Sequence, residues 1–218
     1  MKGETYMFEI VLSLNQQKTF ENTWEYFCEL YGWYNDPYST GGLRYLLLLP
    51  SHSKTVIGTI EFIPYDEENP NSTVEGHFQF SKIEKVKEHK ERVWEIDKLC
   101  LHKDFQRNGH FEGFLEIFYH HAQEYRPKYY IGLMEKRFFR MVRIIFGVYI
   151  IQVGKEIEGE TTILIPVVLD MEKIMNNEKM ALNLFNKGFK HKNTFNIKQI
   201  FNFKLKRRNT KKKVETNH

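Results

Sequence analysis

The chain has 218 residues, 15% of them aromatic, and a formal net charge of +4, which is material for one sizeable core with no need of a second. Two cysteines, Cys28 and Cys100, exclude a disulfide framework, and both stand in apolar-patterned segments where small buried residues are expected, so the expected compartment is the reducing cytoplasm. The apolar run from Met7 to Leu14 carries Glu9, follows Glu4, lacks a basic start and a small-residue cleavage site, and is too short to span a bilayer, which argues against secretion.

In chain order, Tyr6 to Leu12 reads as a first strand. Phe20, Trp24, Phe27, Cys28 and Tyr31 repeat as one face of an amphipathic helix that Gly32 is placed to close. Arg44 to Leu49 and Val56 to Ile63 read as two strands. Acidic residues, asparagine and proline make a loop between Tyr65 and Ser72, and Thr73 to Phe80 is a further strand candidate.

The next strand carries the most information. Trp94 and Ile96 share one parity while Leu99 and Leu101 share the other, so the apolar phase slips at Asp97 and Lys98. A strand that keeps one face inward through such a slip must bulge, which bends it and opens its ladder; a strand buried on both faces gives the same residues without a bulge. Beyond it, Phe111, Phe114, Leu115, Phe118 and Ala122 form a single helical stripe. The start of that helix has backbone N–H groups without intrahelical partners and the positive end of the dipole, a setting that holds an anionic phosphate. Gly109 adds backbone freedom and Arg107 adds charge, although one glycine between strand and helix is also an ordinary connection.

Tyr129 to Met134 reads as a strand and Phe138, Met141, Val142 and Ile145 as a helical stripe; Val148 to Val153 and Thr162 to Val168 read as strands. Strands mixed with helices imply an α/β or α+β architecture, a central mixed sheet flanked by helices. From Lys187 to His218 there are 11 Lys and Arg against one acid, Glu215, leaving 21 Lys and Arg against 27 acids in the remainder. Phe195, Ile197, Phe201, Phe203 and Leu205 share strand parity, consistent with an edge strand, and the lysines and arginines after it have no apolar partners, so the expected division is a domain over residues 1–187 and a basic, partly mobile extension over 188–218. Such an extension is solvated, or meets an acidic protein or an anionic membrane surface; nucleic acid is the least supported partner, because no recognised binding module precedes the tail.

Gln106-Arg107-Asn108-Gly109-His110-Phe111 resembles the Gln/Arg-x-x-Gly-x-Gly/Ala loop of the GNAT-type acyltransferase superfamily, with Phe111 in place of the last small residue. A narrower resemblance, from about Phe20 to Leu169, is to the acyl-homoserine-lactone (autoinducer) synthases and long-chain N-acyl amino acid synthases. It rests on Trp33, Asp36-Pro37-Tyr38, Arg44-Tyr45-Leu46-Leu47, Gly58-Thr59-Ile60-Glu61-Phe62-Ile63-Pro64, Val93-Trp94-Glu95-Ile96-Asp97-Lys98, Met141-Val142-Arg143-Ile144-Ile145-Phe146-Gly147 and Ile163-Leu164-Ile165-Pro166-Val167, in the family's order. The resemblance implies a GNAT-like fold with a bulged, splayed sheet and an N-acyltransferase using acyl-CoA or acyl-phosphopantetheine as donor, without a metal; where the donor is carried by an acyl carrier protein, that acidic protein is the partner expected for the basic extension. Leu99, Leu101 and residues Gln106, Arg107, Asn108, Gly109, His110 and Phe111 would then hold the donor, and Trp33 and Glu61 the small-molecule amine acceptor. Glu61 and Lys98 stand where the autoinducer synthases have arginine, so the acceptor is expected to differ from S-adenosylmethionine.

An ammonium group is not nucleophilic, so amine attack on a thioester needs a base and donors for the oxyanion. Glu95 in its Glu-x-x-Lys block resembles the family's Glu-x-x-Arg site and is the first candidate for base, against a structural role pairing with Lys98; Asp97 is its nearest rival, and Lys98 orients a carboxylate. Cys100 lacks a His partner and reads as a core thiol. The competing classes are a noncatalytic acyl-ligand sensor on the same fold and a basic interaction module.

Overall fold

The structure is a computed structural model, and it describes residues 7–49, 52–159 and 161–189. The basic extension, with its expected edge strand, lies from residue 190 onward outside the described residues.

Strand β1 (Met7–Ile10) leads to helix α1 (Leu14–Tyr31), which opens on a capping box between Ser13 and Gln16 and ends at Gly32 in the left-handed region, φ 68°. Strands β2 (Leu43–Leu49) and β3 (His52–Pro64) follow, then a long connection containing the single turn α2 (Glu84–Lys87), and then β4 (Val93–Leu101). Helix α3 (Glu112–Tyr125) crosses to β5 (Tyr129–Glu135), and α4 (Lys136–Phe146) leads to β6 (Ile150–Gln152), β7 (Ile157–Glu158) and β8 (Ile163–Asp170). Helices α5 (Met171–Asn176) and α6 (Glu178–Phe189) complete the described chain.

The strands form one sheet in the order β1-β2-β3-β4-β5-β8-β6, with β7 also on β8. Every pairing is antiparallel except that of β4 with β5, the pair that α3 connects. One face packs under α3 to α6, with Phe62, Phe114, Phe118, Tyr130, Phe146 and Phe185 at the centre of its core. The opposite face is divided. Helix α1 covers it with Phe20, Trp24 and Phe27, and the connection before β4 covers it with Val74, Phe80 and Val86.

Three expectations are corrected. Thr73 to Phe80 is not a strand: the Ser72 hydroxyl accepts from the N–H groups of Val74 and Glu75, drawing the backbone into turns that run into a 3-10 helix, Phe80–Lys82. The buried stripe of α4 is Phe139, Val142 and Phe146, and Met141 faces outward. Phe138 and Ile145 are half-buried against the same core, as expected, so the inward face is widened by Phe139 and Phe146 and loses only Met141. The strand expected from Val148 is confined to Ile150–Gln152 because Gly147–Tyr149 forms a 3-10 turn.

Close packing between face and sheet runs through Gly58. A Cβ there would lie 2.7 Å from the Cys100 carbonyl oxygen and 2.7 Å from the Phe114 ring. Gly58→Ala is expected to cost about 1–3 kcal/mol through this overpacking, visible as a lowered denaturant midpoint at unchanged slope.

Candidate active site

The phase slip in β4 is a bulge. Glu61 faces Asp97 and Thr59 faces Cys100, so the two steps of β3 oppose three steps of β4. Lys98 takes φ 49°, a left-handed conformation uncommon outside glycine. Two side chains hold it there: Asp97 Oδ1 accepts from the Lys98 N–H at 2.7 Å, and Thr59 Oγ1 donates to the Lys98 carbonyl at 2.8 Å. Because the extra residue is absorbed, Trp94, Ile96, Leu99 and Leu101 all reach the α3-side core, while Val93 and Cys100 meet the two clusters of the opposite face.

Just before the bulge the sheet opens. The parallel ladder of β4 and β5 consists of Val93 with Tyr129, Trp94 with Tyr130 and Glu95 with Ile131, and it stops there. Each strand keeps its outer partner: β4 stays on β3 as far as Leu101, and β5 stays on β8 as far as Glu135. The arms therefore part beyond Glu95. At the vertex, a Cβ on Gly132 would stand 3.2 Å from the Ile96 carbonyl oxygen, so glycine permits the close approach from which they diverge.

Glu95 occupies the last rung. Its side chain is fully buried, and its carboxylate accepts from Ser72 Oγ at 2.9 Å and Thr73 Oγ1 at 3.3 Å. Burial pushes its pKa up to about 7, against the lowering effect of the two hydroxyls. Ser72 and Thr73 are themselves half-buried, whereas the carboxylate they donate to has no exposed surface. Neither hydroxyl is legible as a partner from sequence, since Ser72 reads as the end of a loop and Thr73 as the start of a strand.

Glu61, Lys98 and Asp97 come together with Arg44, which the sequence reading assigned no role. Arg44 Nη2 lies 2.8 Å from Glu61 Oε1, and Lys98 Nζ lies 3.4 Å from Glu61 Oε2 and 2.6 Å from Asp97 Oδ2. Glu61 and the Lys98 side chain have no exposed surface. Burial pushes Glu61 upward, opposed by Lys98 and Arg44. It acts on Lys98 in the opposite sense and is the largest single influence there, but Asp97 and Glu61 together outweigh it and hold the ammonium charged. The Lys98 ammonium lies 5.3 Å from the centre of the Tyr38 ring and 5.9 Å from that of Trp24. Trp33 joins the same cluster, stacked on Tyr31 at 4.7 Å and 5.8 Å from Trp24. Glu61 thus engages two cations of its own chain, and Trp33 packs beside the pocket that Lys98 fills.

The loop after β4 runs from Gln106 to Phe111, with Arg107 at φ 63° and Gly109 at φ 82°. Gln106 Nε2 donates to Tyr31 Oη and to the Leu101 carbonyl, both at 2.9 Å, and Asn108 Nδ2 donates to the Asp104 carbonyl. One expectation changes here. The N–H groups of Glu112, Gly113 and Phe114 donate to the carbonyls of Gly109, His110 and Phe111, so three donors at the start of α3 are already used in a tightened turn. The Phe111 ring lies 5.8 Å from Phe114 and 5.8 Å from Phe138, joining the beginnings of α3 and α4.

Cys100 is buried, and desolvation holds its thiol well above the ordinary range, as expected of a core residue. His120 and His121 diverge: His121 is buried, with Nδ1 2.7 Å from Tyr130 Oη, while the His120 ring meets Phe8 and Tyr45. No helix of the described residues is long and apolar enough to cross a membrane.

No protein-family model and no curated protein matches the chain. Solved structures do. The N-acyl amino acid synthase FeeM from uncultured soil microbes superposes with a TM-score of 0.60 at 11% identity, covering 83% of this chain and 99% of that one. The CoA-dependent acyl-homoserine lactone synthase BjaI, solved with SAM and isopentyl-CoA, gives 0.59 at 12% identity, covering 84% and 89%. A spermidine N-acetyltransferase from Vibrio cholerae, in complex with CoA and spermine, gives 0.52 at 10% identity, covering 79% and 99%. At such identities the likeness is one of fold, and that fold is the GNAT-type sheet, bulged and splayed, that the sequence motifs led us to expect.

Proposed function

We propose that this chain is an N-acyltransferase that moves an acyl group from a phosphopantetheine thioester to a small-molecule amine. One observation carries the reading: the two parallel strands part at the residue that bears a buried carboxylate with a pKa near neutrality. The gap between the arms exposes strand edges suited to an extended pantetheine, with Leu99 and Leu101 on the β4 wall. Arg107 and the loop backbone from Gln106 to Phe111 lie at the end where the phosphates would sit. That BjaI and the spermidine acetyltransferase were solved with CoA-type molecules supports CoA as the donor form.

In this reading Glu95 is the base. Its direct path to an acceptor is covered by Ser72, so the proton passes from the ammonium to the Ser72 hydroxyl as that hydroxyl gives its own to Glu95. The neutral amine then attacks the thioester carbonyl to give a tetrahedral oxyanion with a protonated nitrogen. As it collapses the C–S bond breaks and the extra proton on nitrogen passes to the leaving sulfur, so that amide and thiol form and Glu95 returns its proton to solvent. Asp97 and Lys98 hold the bulge that sets the geometry of the β4 arm, and Asp97 and Glu61, the latter shared with Arg44, compensate the Lys98 charge. Thiol release from an acyl-CoA that depends on added amine tests the proposal. Tight CoA binding with no release under any amine would favour a sensor, a reading consistent with the sealed position of Glu95.

Gly109→Val tests the donor loop separately. The backbone there is at φ 82°, a region closed to a β-branched residue, while nothing lies within 4 Å of the added Cβ. Calorimetry is expected to show CoA affinity reduced about tenfold or more, from a strain of roughly 1–3 kcal/mol that distorts the loop. Unchanged affinity would remove the loop from donor binding.

A further inference from the structure

Helix α4 shows an unusual outer face. Phe139, Val142 and Phe146 point into the core, so the opposite stripe is Arg137, Arg140, Met141 and Ile144, continued by Val148 in the turn that follows. Ile144 is 86% exposed and Val148 is 84% exposed. From Lys136 to Ile151 the chain contains no acid. Lys136 is paired with Glu156 at 2.7 Å, whereas among the described residues no ion pair involves Arg137, Arg140 or Arg143. Three guanidinium groups without an ion-pair partner among the described residues therefore flank two protruding aliphatic side chains.

We propose that this face of α4 is a docking surface for an anionic lipid bilayer. The chemistry of the two residue types sets the partner. Guanidinium groups match phosphate oxygens in bidentate geometry and supply attraction to a negatively charged surface. Ile144 and Val148 need an apolar medium directly beneath that anionic layer, which a nucleic acid lacks and a bilayer provides. The inference does not rest on the acyl-transfer reading, since it concerns the face of α4 opposite its buried stripe.

The test uses the full chain and vesicles of phosphatidylcholine, with or without phosphatidylglycerol, at physiological ionic strength. Cosedimentation is expected with the phosphatidylglycerol vesicles only. Replacing Arg137, Arg140 and Arg143 together by Gln should weaken partitioning by about tenfold or more. Ile144→Ser with Val148→Ser should weaken it by a similar factor of about ten, with the thermal midpoint unchanged because both side chains are exposed. Absence of partitioning overturns the proposal. So does partitioning that both variants leave intact, which would place the attraction elsewhere, for example in the basic segment after residue 187. Binding of an acidic protein or a nucleic acid through this face, with vesicles ignored, also overturns it.

Discussion

Glu95→Gln is expected to lower amine-dependent thioester cleavage by about 10²-fold or more, while CoA binding persists. The substitution keeps the size of the side chain and an acceptor for the Ser72 hydroxyl, so it removes the ability to take a proton and little else. In the native chain the rate should rise with pH through about 7, where burial has placed the Glu95 carboxyl, and the variant should lack that limb. Stability supplies an independent readout. Glu95 is a carboxyl whose folded pKa lies above its ordinary value of 4.5, so the folded state holds the proton more tightly than the unfolded one. Its contribution is complete below 4.5 and is lost as pH rises through about 7, a difference of roughly 3 kcal/mol by linkage. Glu95→Gln should therefore be more stable than the native chain at pH 8, with the gap closing towards pH 4. Unaltered turnover would remove Glu95 from the role of base.

Lys98→Met should be the most damaging single change to stability, at about 3–5 kcal/mol. It would leave Glu61 with only Arg44 and would deprive Asp97 of its partner at 2.6 Å, inside a pocket closed by aromatic rings. For a domain of this size that corresponds to a fall of roughly 10 °C in thermal midpoint. Lys98→Met combined with Glu61→Gln removes one charge of each sign and should recover part of the loss. A midpoint within about 1 °C of the native value for Lys98→Met would show that the cluster carries no net stabilisation.

The sequence disclosed what depends on neighbours along the chain. The α1 face and its glycine stop follow from helical spacing, and the β4 bulge from a one-residue change of parity at Asp97 and Lys98. It did not disclose what depends on distant pairings. Arg44 meets Glu61 only because β2 and β3 are in register at those two residues. Ser72 and Thr73 reach Glu95 across more than twenty positions, from the junction of a loop with a segment whose apolar residues imitate a strand. In α4, spacing gives Phe138, Val142 and Ile145 on the inward side, and only packing on the sheet adds Phe139 and Phe146 and turns Met141 outward.

Strand lengths at the margins of the sheet bear on how the molecule behaves in a crowded solution. Among the described residues the outermost strands are β1, with four residues, and on the far side of β8 both β6, with three, and β7, with two. A second chain laying a strand along either margin would gain only a few backbone hydrogen bonds, too few to offset the entropy of joining. The long, strongly pairing β3 and β4 are kept inside, away from foreign partners. Protection against edge-to-edge aggregation is thus achieved here by brevity, with no proline or charge placed on β6.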